Sequence, residues 1–154
     1  MIDKILNKFL NSRPDKRCIT DFRKTYTVGE INKKIEYFSS EFLKYKKKNF
    51  GVGILLERDA NYLSIILTCI KLNIYYVPFS TKSSKININR QIKEAKIDLL
   101  IKYKNNKICF IKKNSFKKTK FNKLSYIIFT SGSTGEKKGV PITFKNYFSY
   151  FKSI

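Results

Sequence analysis

The sequence contains no histidine, and this absence excludes several kinds of active site. A Ser-His-Asp triad, a Cys-His pair and a histidine-containing zinc site cannot be built from this chain. Its three cysteines, Cys18, Cys69 and Cys109, lack the spacing of metal ligands. We therefore expect no metal site among these residues and a reducing, cytoplasmic location.

Long apolar runs are also missing. The longest nearly apolar stretch, residues 62–70, is about half as long as a membrane-spanning helix. The N-terminal residues lack the continuous apolar segment of a secretory signal. With 42% hydrophobic and 15% aromatic residues, however, the chain is too apolar to be a disordered tail. The composition predicts one domain, or part of a larger one, without a membrane span.

Acidic residues are scarce: 11 Asp and Glu stand against 33 Lys and Arg, giving a formal charge of +22. Such a charge attracts RNA, DNA and anionic lipids. However, 28 of the 33 basic residues are Lys, and Lys, Ile and Asn together make up 62 of the 154 residues. These amino acids share AT-rich codons, so we attribute the charge to codon bias and solvated surface and predict no specific nucleic-acid partner. A basic accessory protein that binds nucleic acid remains the alternative.

Hydrophobic periodicity predicts alternating helices and strands. Helices are expected from the N-terminus to a break at residues 11–14, after Val28, after an N-cap at Asp59, and over 86–95. Strands are expected over 18–22, 51–57, 75–78, 98–103 and 126–129. The Lys/Asn-rich region 104–123 is expected to be a low-complexity segment with a lysine-rich loop. This order predicts an α/β fold with a largely parallel sheet and flanking helices.

The segment 124–140 carries the most informative chemistry. A predicted strand leads into a loop of hydroxyl residues and glycines, which is followed by two lysines. Glycines let the backbone approach a phosphate, hydroxyls donate hydrogen bonds, and lysine supplies positive charge. The residues predicted to bind a nucleotide polyphosphate are Thr130, Ser131, Gly132, Ser133, Thr134, Gly135, Lys138 and Gly139. The spacing is not that of a Walker A or a dinucleotide-binding loop. A plain hairpin loop, without a ligand, is the alternative.

The same segment resembles the phosphate-binding signature of the adenylate-forming ligases, T-S-G-[ST]-T-G-x-P-K-G-V. This superfamily includes acyl-CoA synthetases, luciferases and the adenylation domains of nonribosomal peptide synthetases. The chain matches at Tyr126, 130–135 and 138–140, and departs from the pattern at Lys137, where the family usually has proline. Four further segments resemble family landmarks in the same order: 13–15, 26–31, 51–57 and 70–78. The whole chain, 1–154, thus resembles the N-terminal portion of an AMP-binding adenylation domain.

The resemblance implies ATP-dependent activation of a carboxylate, either an amino acid or a fatty acid, to an acyl-adenylate, with ATP and Mg2+ as cofactors. The hydroxyls of Thr130, Ser131, Ser133 and Thr134 would hold the β- and γ-phosphates, and Lys138 would compensate their charge.

Family members are several hundred residues long, and the remainder of the domain is absent from this sequence. The resemblance therefore also implies an incomplete N-terminal subdomain with no catalytic residue of its own. We expect a truncated or split ligase that is inactive alone and is completed by a complementary chain. A nonfunctional remnant is the other alternative.

Overall fold

A computed structural model describes residues 2–46, 49–113, 123–131, 137–146 and 149. The helices in these ranges are α1 (Ile2–Ser12), α2 (Val28–Leu43), α3 (Ala60–Lys71) and α4 (Lys85–Glu94). The strands are β1 (Arg17–Thr20), β2 (Thr25–Thr27), β3 (Gly51–Leu55), β4 (Tyr75–Pro78), β5 (Leu99–Lys104), β6 (Lys107–Lys112), β7 (Leu124–Ser131) and β8 (Lys137–Thr143). The chain divides into two compact units, one of residues 1–46 and 57–72, the other of residues 47–56 and 73–154.

The first unit contains α1, α2, α3 and the antiparallel pair β1–β2. Its core is a cluster of buried side chains: Leu10, Tyr26, Val28, Ile31, Ile35 and Ala60. A capping box starts α2: the Thr27 hydroxyl accepts from the Glu30 backbone N–H at 3.3 Å, and the Glu30 carboxylate accepts from the Thr27 N–H at 2.9 Å. Two of the otherwise unpaired donors at the helix start are satisfied in this way.

The start of α3 is fixed by two carboxylates. Asp59 is the N-cap, as predicted, and accepts from the Tyr62 N–H at 2.9 Å. It is buried and also accepts from the Arg23 guanidinium at 3.1 Å. The Asp21 carboxylate accepts from the Ala60 N–H at 3.0 Å. These bonds join the β1–β2 turn to the first turn of α3.

The second unit is built on a six-stranded sheet in the order β6-β5-β3-β4-β7-β8. The three central pairings, β3–β5, β3–β4 and β4–β7, are parallel, and the two outer pairings are antiparallel. The predicted α/β fold with a largely parallel sheet is therefore confirmed. α4 flanks this sheet, and its Ile88 and Ile92 join Val77, Ile97 and Ile127 in one buried cluster.

Region 104–123 was expected to be a low-complexity segment, but its first part forms a regular strand that the sequence analysis did not predict. Residues 107–112 form β6, which pairs with β5 along its whole length. Asn105 and Asn106 make the two-residue turn between the strands with φ of 50° and 59°. Asparagine tolerates this left-handed conformation better than most residues, and two such residues in succession favour a tight hairpin. The lysine-rich residues 114–122 lie outside the described residues.

Candidate functional site

The predicted phosphate-loop segment begins in β7 and ends in β8, two strands that form a hairpin at one edge of the sheet. β7 pairs with β4 on one side and with β8 on the other. Tyr76 of β4 is the register partner of Tyr126 of β7, and their rings stack with centroids 5.5 Å apart. The rings of Phe79 and Phe129 approach to 6.5 Å near the other end of β7. These contacts fix β7 against the centre of the sheet.

The hairpin brings together the two ends of the predicted loop. Thr130 lies opposite Lys138, Ser131 lies opposite Lys137, and Gly139 lies opposite Phe129. Thr130 and Lys138 are both exposed. Gly132, Ser133, Thr134 and Gly135 lie outside the described residues, and Ser131 is described only as the last residue of β7. The second strand of the hairpin, β8, was not among the predicted elements.

The two faces of this hairpin differ. Ile127 is buried in the cluster that includes α4, and Phe129 packs against the same cluster. Side chains alternate between the faces of a strand, so Ile128 and Thr130 lie on the face opposite α4. On that face Ile128 pairs with Val140, and their side chains remain 43% and 42% exposed. The pair formed by Thr130 and Lys138 lies beyond them, at the loop end of the same face.

Two residues at opposite ends of α4 contact the hairpin through polar side-chain groups: Ser83 precedes the helix, and Glu94 is its last residue. The Lys137 ammonium donates to the Ser83 hydroxyl at 3.4 Å. The Gly139 N–H donates to the Glu94 carboxylate at 3.2 Å. Sequence reasoning missed Ser83 and Glu94, because they precede the residues that they contact, Lys137 and Gly139, by 54 and 45 positions. Nothing in the local sequence marks either residue as part of the site.

Gly139 is enclosed by its neighbours. A Cβ atom at this position would lie 3.1 Å from Ile127 Cγ2 and 3.3 Å from both Phe129 Cε1 and Glu94 Oε1. These distances are shorter than ordinary van der Waals contacts, so the absence of a side chain allows the close approach of Glu94 to the backbone of β8.

The site chemistry fits an anion. The hydroxyl of Thr130 and the ammonium of Lys138 are donors, and the ammonium is positively charged, which suits phosphate oxygens.

Among the described residues, no group of three His, Cys, Asp or Glu residues is placed to hold a metal ion. The same part of the chain contains no helix with the length and apolarity needed to cross a membrane.

Comparison with solved structures identifies the fold. O-succinylbenzoate coenzyme A synthetase (MenE) from Bacillus subtilis, solved in complex with AMP, matches with a TM-score of 0.73 at 20% identity, covering 96% of this chain and 44% of that one. The N-terminal subdomain of Klebsiella oxytoca NpsA, solved with 3-hydroxyanthranilyl-AMSN, matches with a TM-score of 0.72 at 19% identity, covering 92% and 40%. This chain has the fold of the N-terminal part of an adenylate-forming ligase.

Sequence comparison agrees with this adenylate-forming ligase fold. Gramicidin S synthase 1 of Brevibacillus brevis is 24% identical over 94% of this chain and 15% of its own length. A PKS-NRPS hybrid synthetase, psoA, of Aspergillus fumigatus is 21% identical over 94% of this chain and 4% of its own. No protein-family model matches. The predicted resemblance to the N-terminal portion of these ligases is confirmed. The chain spans less than half of each of the solved structures and a smaller share of the curated relatives.

Proposed function

We propose that this chain supplies the ATP-phosphate loop of an adenylate-forming ligase that activates a carboxylic acid, an amino acid or a fatty acid. One observation carries the proposal: Thr130 and Lys138 lie opposite each other, exposed, at the loop end of the β7–β8 hairpin. The fold shared with adenylate-forming ligases supports the proposal of ATP-dependent activation of an acid. MenE, which shares the fold, was also solved with the acyl-adenylate intermediate OSB-AMP.

The residues of this chain would bind and orient the triphosphate. The Thr130 hydroxyl would donate a hydrogen bond to a phosphate oxygen, and the Lys138 ammonium would balance the negative charge. Residues 131–135 would add hydroxyl and backbone N–H donors. Gly139, the other residue predicted for the loop, already donates its N–H to Glu94. ATP, when bound, supplies the adenylyl group that the carboxylate receives. Mg2+ would be held mainly by phosphate oxygens, because this ion is commonly bound through substrate phosphates and few carboxylates.

We assign no catalytic residue to residues 1–154. The adenine-binding segment, the aspartate that holds the ribose and the catalytic lysine expected for the family have no counterpart in this sequence. Adenylation would therefore require a complementary segment or chain that carries them. We propose a cytoplasmic setting for this reaction, since ATP and reduced thiols coexist there.

Binding of ATP to the chain, measured by calorimetry in the presence of Mg2+, tests the proposal. Lys138→Ala should weaken ATP binding by about tenfold or more, since it removes a charge-assisted hydrogen bond. Lys107→Ala is the matched control: Lys107 is also an exposed lysine at a hairpin end, in β6, and its loss changes the net charge equally. This control should bind ATP like the unsubstituted chain.

Two results would contradict the phosphate-loop assignment. One is an equal loss of affinity in Lys138→Ala and Lys107→Ala. The other is binding that RNA matches and that vanishes for all variants near physiological salt. Such binding would report only the attraction of polyanions to a chain of charge +22. Where ATP binding is specific, coexpression with the remainder of an adenylation domain and pyrophosphate exchange would test adenylation itself.

A further inference from the structure

The Glu94 carboxylate binds the backbone of β8 at Gly139, the residue that follows Lys138. Its Oε1 atom accepts a hydrogen bond from the Gly139 N–H at 3.2 Å. Gly139 has no side chain that would separate the two groups, since a Cβ there would already lie 3.3 Å from this same oxygen. Glu94 is the last residue of α4, whose Ile88 and Ile92 are buried against the sheet. The carboxylate is therefore attached to a packed helix and not to a loop.

The residue on the other side of Lys138 also contacts the α4 region. The Lys137 ammonium lies 3.4 Å from the Ser83 hydroxyl, directly before Ser84, the N-cap of α4. Lys137 occupies the position at which the resembling signature usually has proline. Proline restricts the backbone through its ring, whereas here the side chain of Lys137 reaches across to Ser83. At 3.4 Å this bond is longer than the one made by Glu94 and is the weaker of the two.

These contacts constrain the direction of Lys138. Its two neighbours, Lys137 and Gly139, contact groups at the start and end of α4, on one face of the hairpin. Because successive side chains of a strand point to opposite faces, Lys138 is directed to the other face, where Thr130 lies. A lysine whose backbone is already fixed loses less conformational entropy when it binds a ligand.

We infer that Glu94 is a positioning residue for the phosphate site: it fixes the backbone of β8 at Gly139, supported by the Ser83–Lys137 contact, and so presents Lys138 beside Thr130. The expected consequence of this positioning is tighter ATP binding, and that consequence rests on the proposed function. The contact itself is a property of the chain without any ligand. The two parts can therefore be tested separately.

Nuclear magnetic resonance of the full chain without ATP tests the contact. In Glu94→Ala, hydrogen exchange of the Gly139 amide should be about tenfold faster, and the ¹⁵N–¹H NOE of the Lys138 amide should fall, because one hydrogen bond to β8 is lost. Glu94→Gln keeps an oxygen acceptor and should give intermediate values. Glu36→Gln is the control for charge, since Glu36 lies in the other unit and contacts Lys71. It should leave both signals unchanged.

ATP affinity, measured on the same variants, tests the consequence. Glu94→Ala should weaken binding by about three- to tenfold, and Glu94→Gln by less, although both remove a negative charge near the site. A purely electrostatic role predicts the opposite, tighter binding of the ATP anion. Ser83→Ala should weaken binding slightly, and this effect should disappear in a Lys137→Met background, since the two side chains act as a pair.

The outcomes separate the two proposals. Unchanged Gly139 exchange and Lys138 NOE in both Glu94 variants would overturn the positioning role. So would changed signals with unchanged ATP affinity. Absence of ATP binding by the unsubstituted chain would overturn the proposed function and with it the effect on affinity, while the exchange and NOE data would still decide whether Glu94 orders the backbone around Lys138.

Discussion

The ring of Tyr75 fills the space in which a side chain at Gly51 would have to lie. A Cβ on Gly51 would be 2.2 Å from Tyr75 Cζ and 2.3 Å from its hydroxyl oxygen. The two residues are register partners in the parallel pair β3–β4. The same hydroxyl lies 2.8 Å from the Lys96 carbonyl and 3.0 Å from the Ala95 carbonyl. One buried phenol thus joins two strands to the connection that follows α4.

Gly51→Ala should destabilise the chain by about 2 kcal/mol, because the added methyl overlaps the buried Tyr75 ring. The ring cannot easily move away, since its hydroxyl is hydrogen-bonded to the Ala95 and Lys96 carbonyls. Urea unfolding followed by circular dichroism measures this cost. In a Tyr75→Val background, where the ring is absent, the additional cost of Gly51→Ala should be much smaller. Equal costs in the two backgrounds would show that Tyr75 is not the source of the overlap.

The stability conferred by Glu30 should depend on pH. A hydrogen bond from the Lys24 ammonium, together with one from the Thr27 N–H, lowers the pKa of Glu30 below its ordinary value. A carboxyl whose pKa is lower in the folded state stabilises that state above its unfolded pKa, and the contribution is lost as the pH falls through the folded pKa. The difference in unfolding free energy between the unsubstituted chain and Glu30→Gln should therefore be present at neutral pH and shrink in acid below about pH 4. Lys24→Met should reduce this difference in unfolding free energy, because it removes the main cause of the lowered pKa of Glu30. A difference that does not change with pH would contradict the role of the carboxylate.

Asp59→Ala should destabilise the first unit by about 1–2 kcal/mol through loss of the N-cap of α3. Asp59→Asn should cost less, since asparagine caps a helix about as well as aspartate but cannot form the ion pair with Arg23. Unfolding in urea distinguishes the variants. If the Asn and Ala variants were equally unstable, the ion pair and not the cap would be the main contribution of Asp59.

The three cysteines should react at different rates with an aromatic disulfide reagent such as DTNB. Cys18 is exposed and Cys109 half-buried, whereas Cys69 is fully buried and its thiol pKa is raised by that burial. Because the thiolate is the reactive form, Cys69 should react only when urea unfolds the chain. Cys69→Ala should leave the native reaction unchanged. Reaction of three thiols at one rate under native conditions would contradict the described packing.

Local sequence was sufficient to predict most of the fold. The helix starts at Val28 and after Asp59 carry capping residues, and β3 and β4 are short apolar runs bounded by turn residues, so each signal lies within the element that it predicts. β6 was missed because its apolar residues, 108–111, lie within a lysine- and asparagine-rich region that resembles a low-complexity segment. The pair Asn105–Asn106, which forms the tight turn between β5 and β6, is the local signal that could reveal this hairpin.

The candidate site also depends partly on local sequence. The order of hydroxyls, glycines and Lys138 predicts a phosphate loop by itself, and the hairpin pairs Thr130 with Lys138. The roles of Glu94 and Ser83 depend on how α4 lies across the hairpin. That arrangement is set by tertiary packing around Ile127 and Phe129, which no local pattern encodes.

The strand order has a consequence for synthesis on the ribosome. β3, β4, β5 and β6 are translated before β7, and their three pairings can form while the rest of the chain is still being made. During that interval β4 has an open edge, which β7 later covers after a connection of more than forty residues. The nascent chain thus acquires the β7–β8 hairpin as a late addition to a sheet that is already assembled.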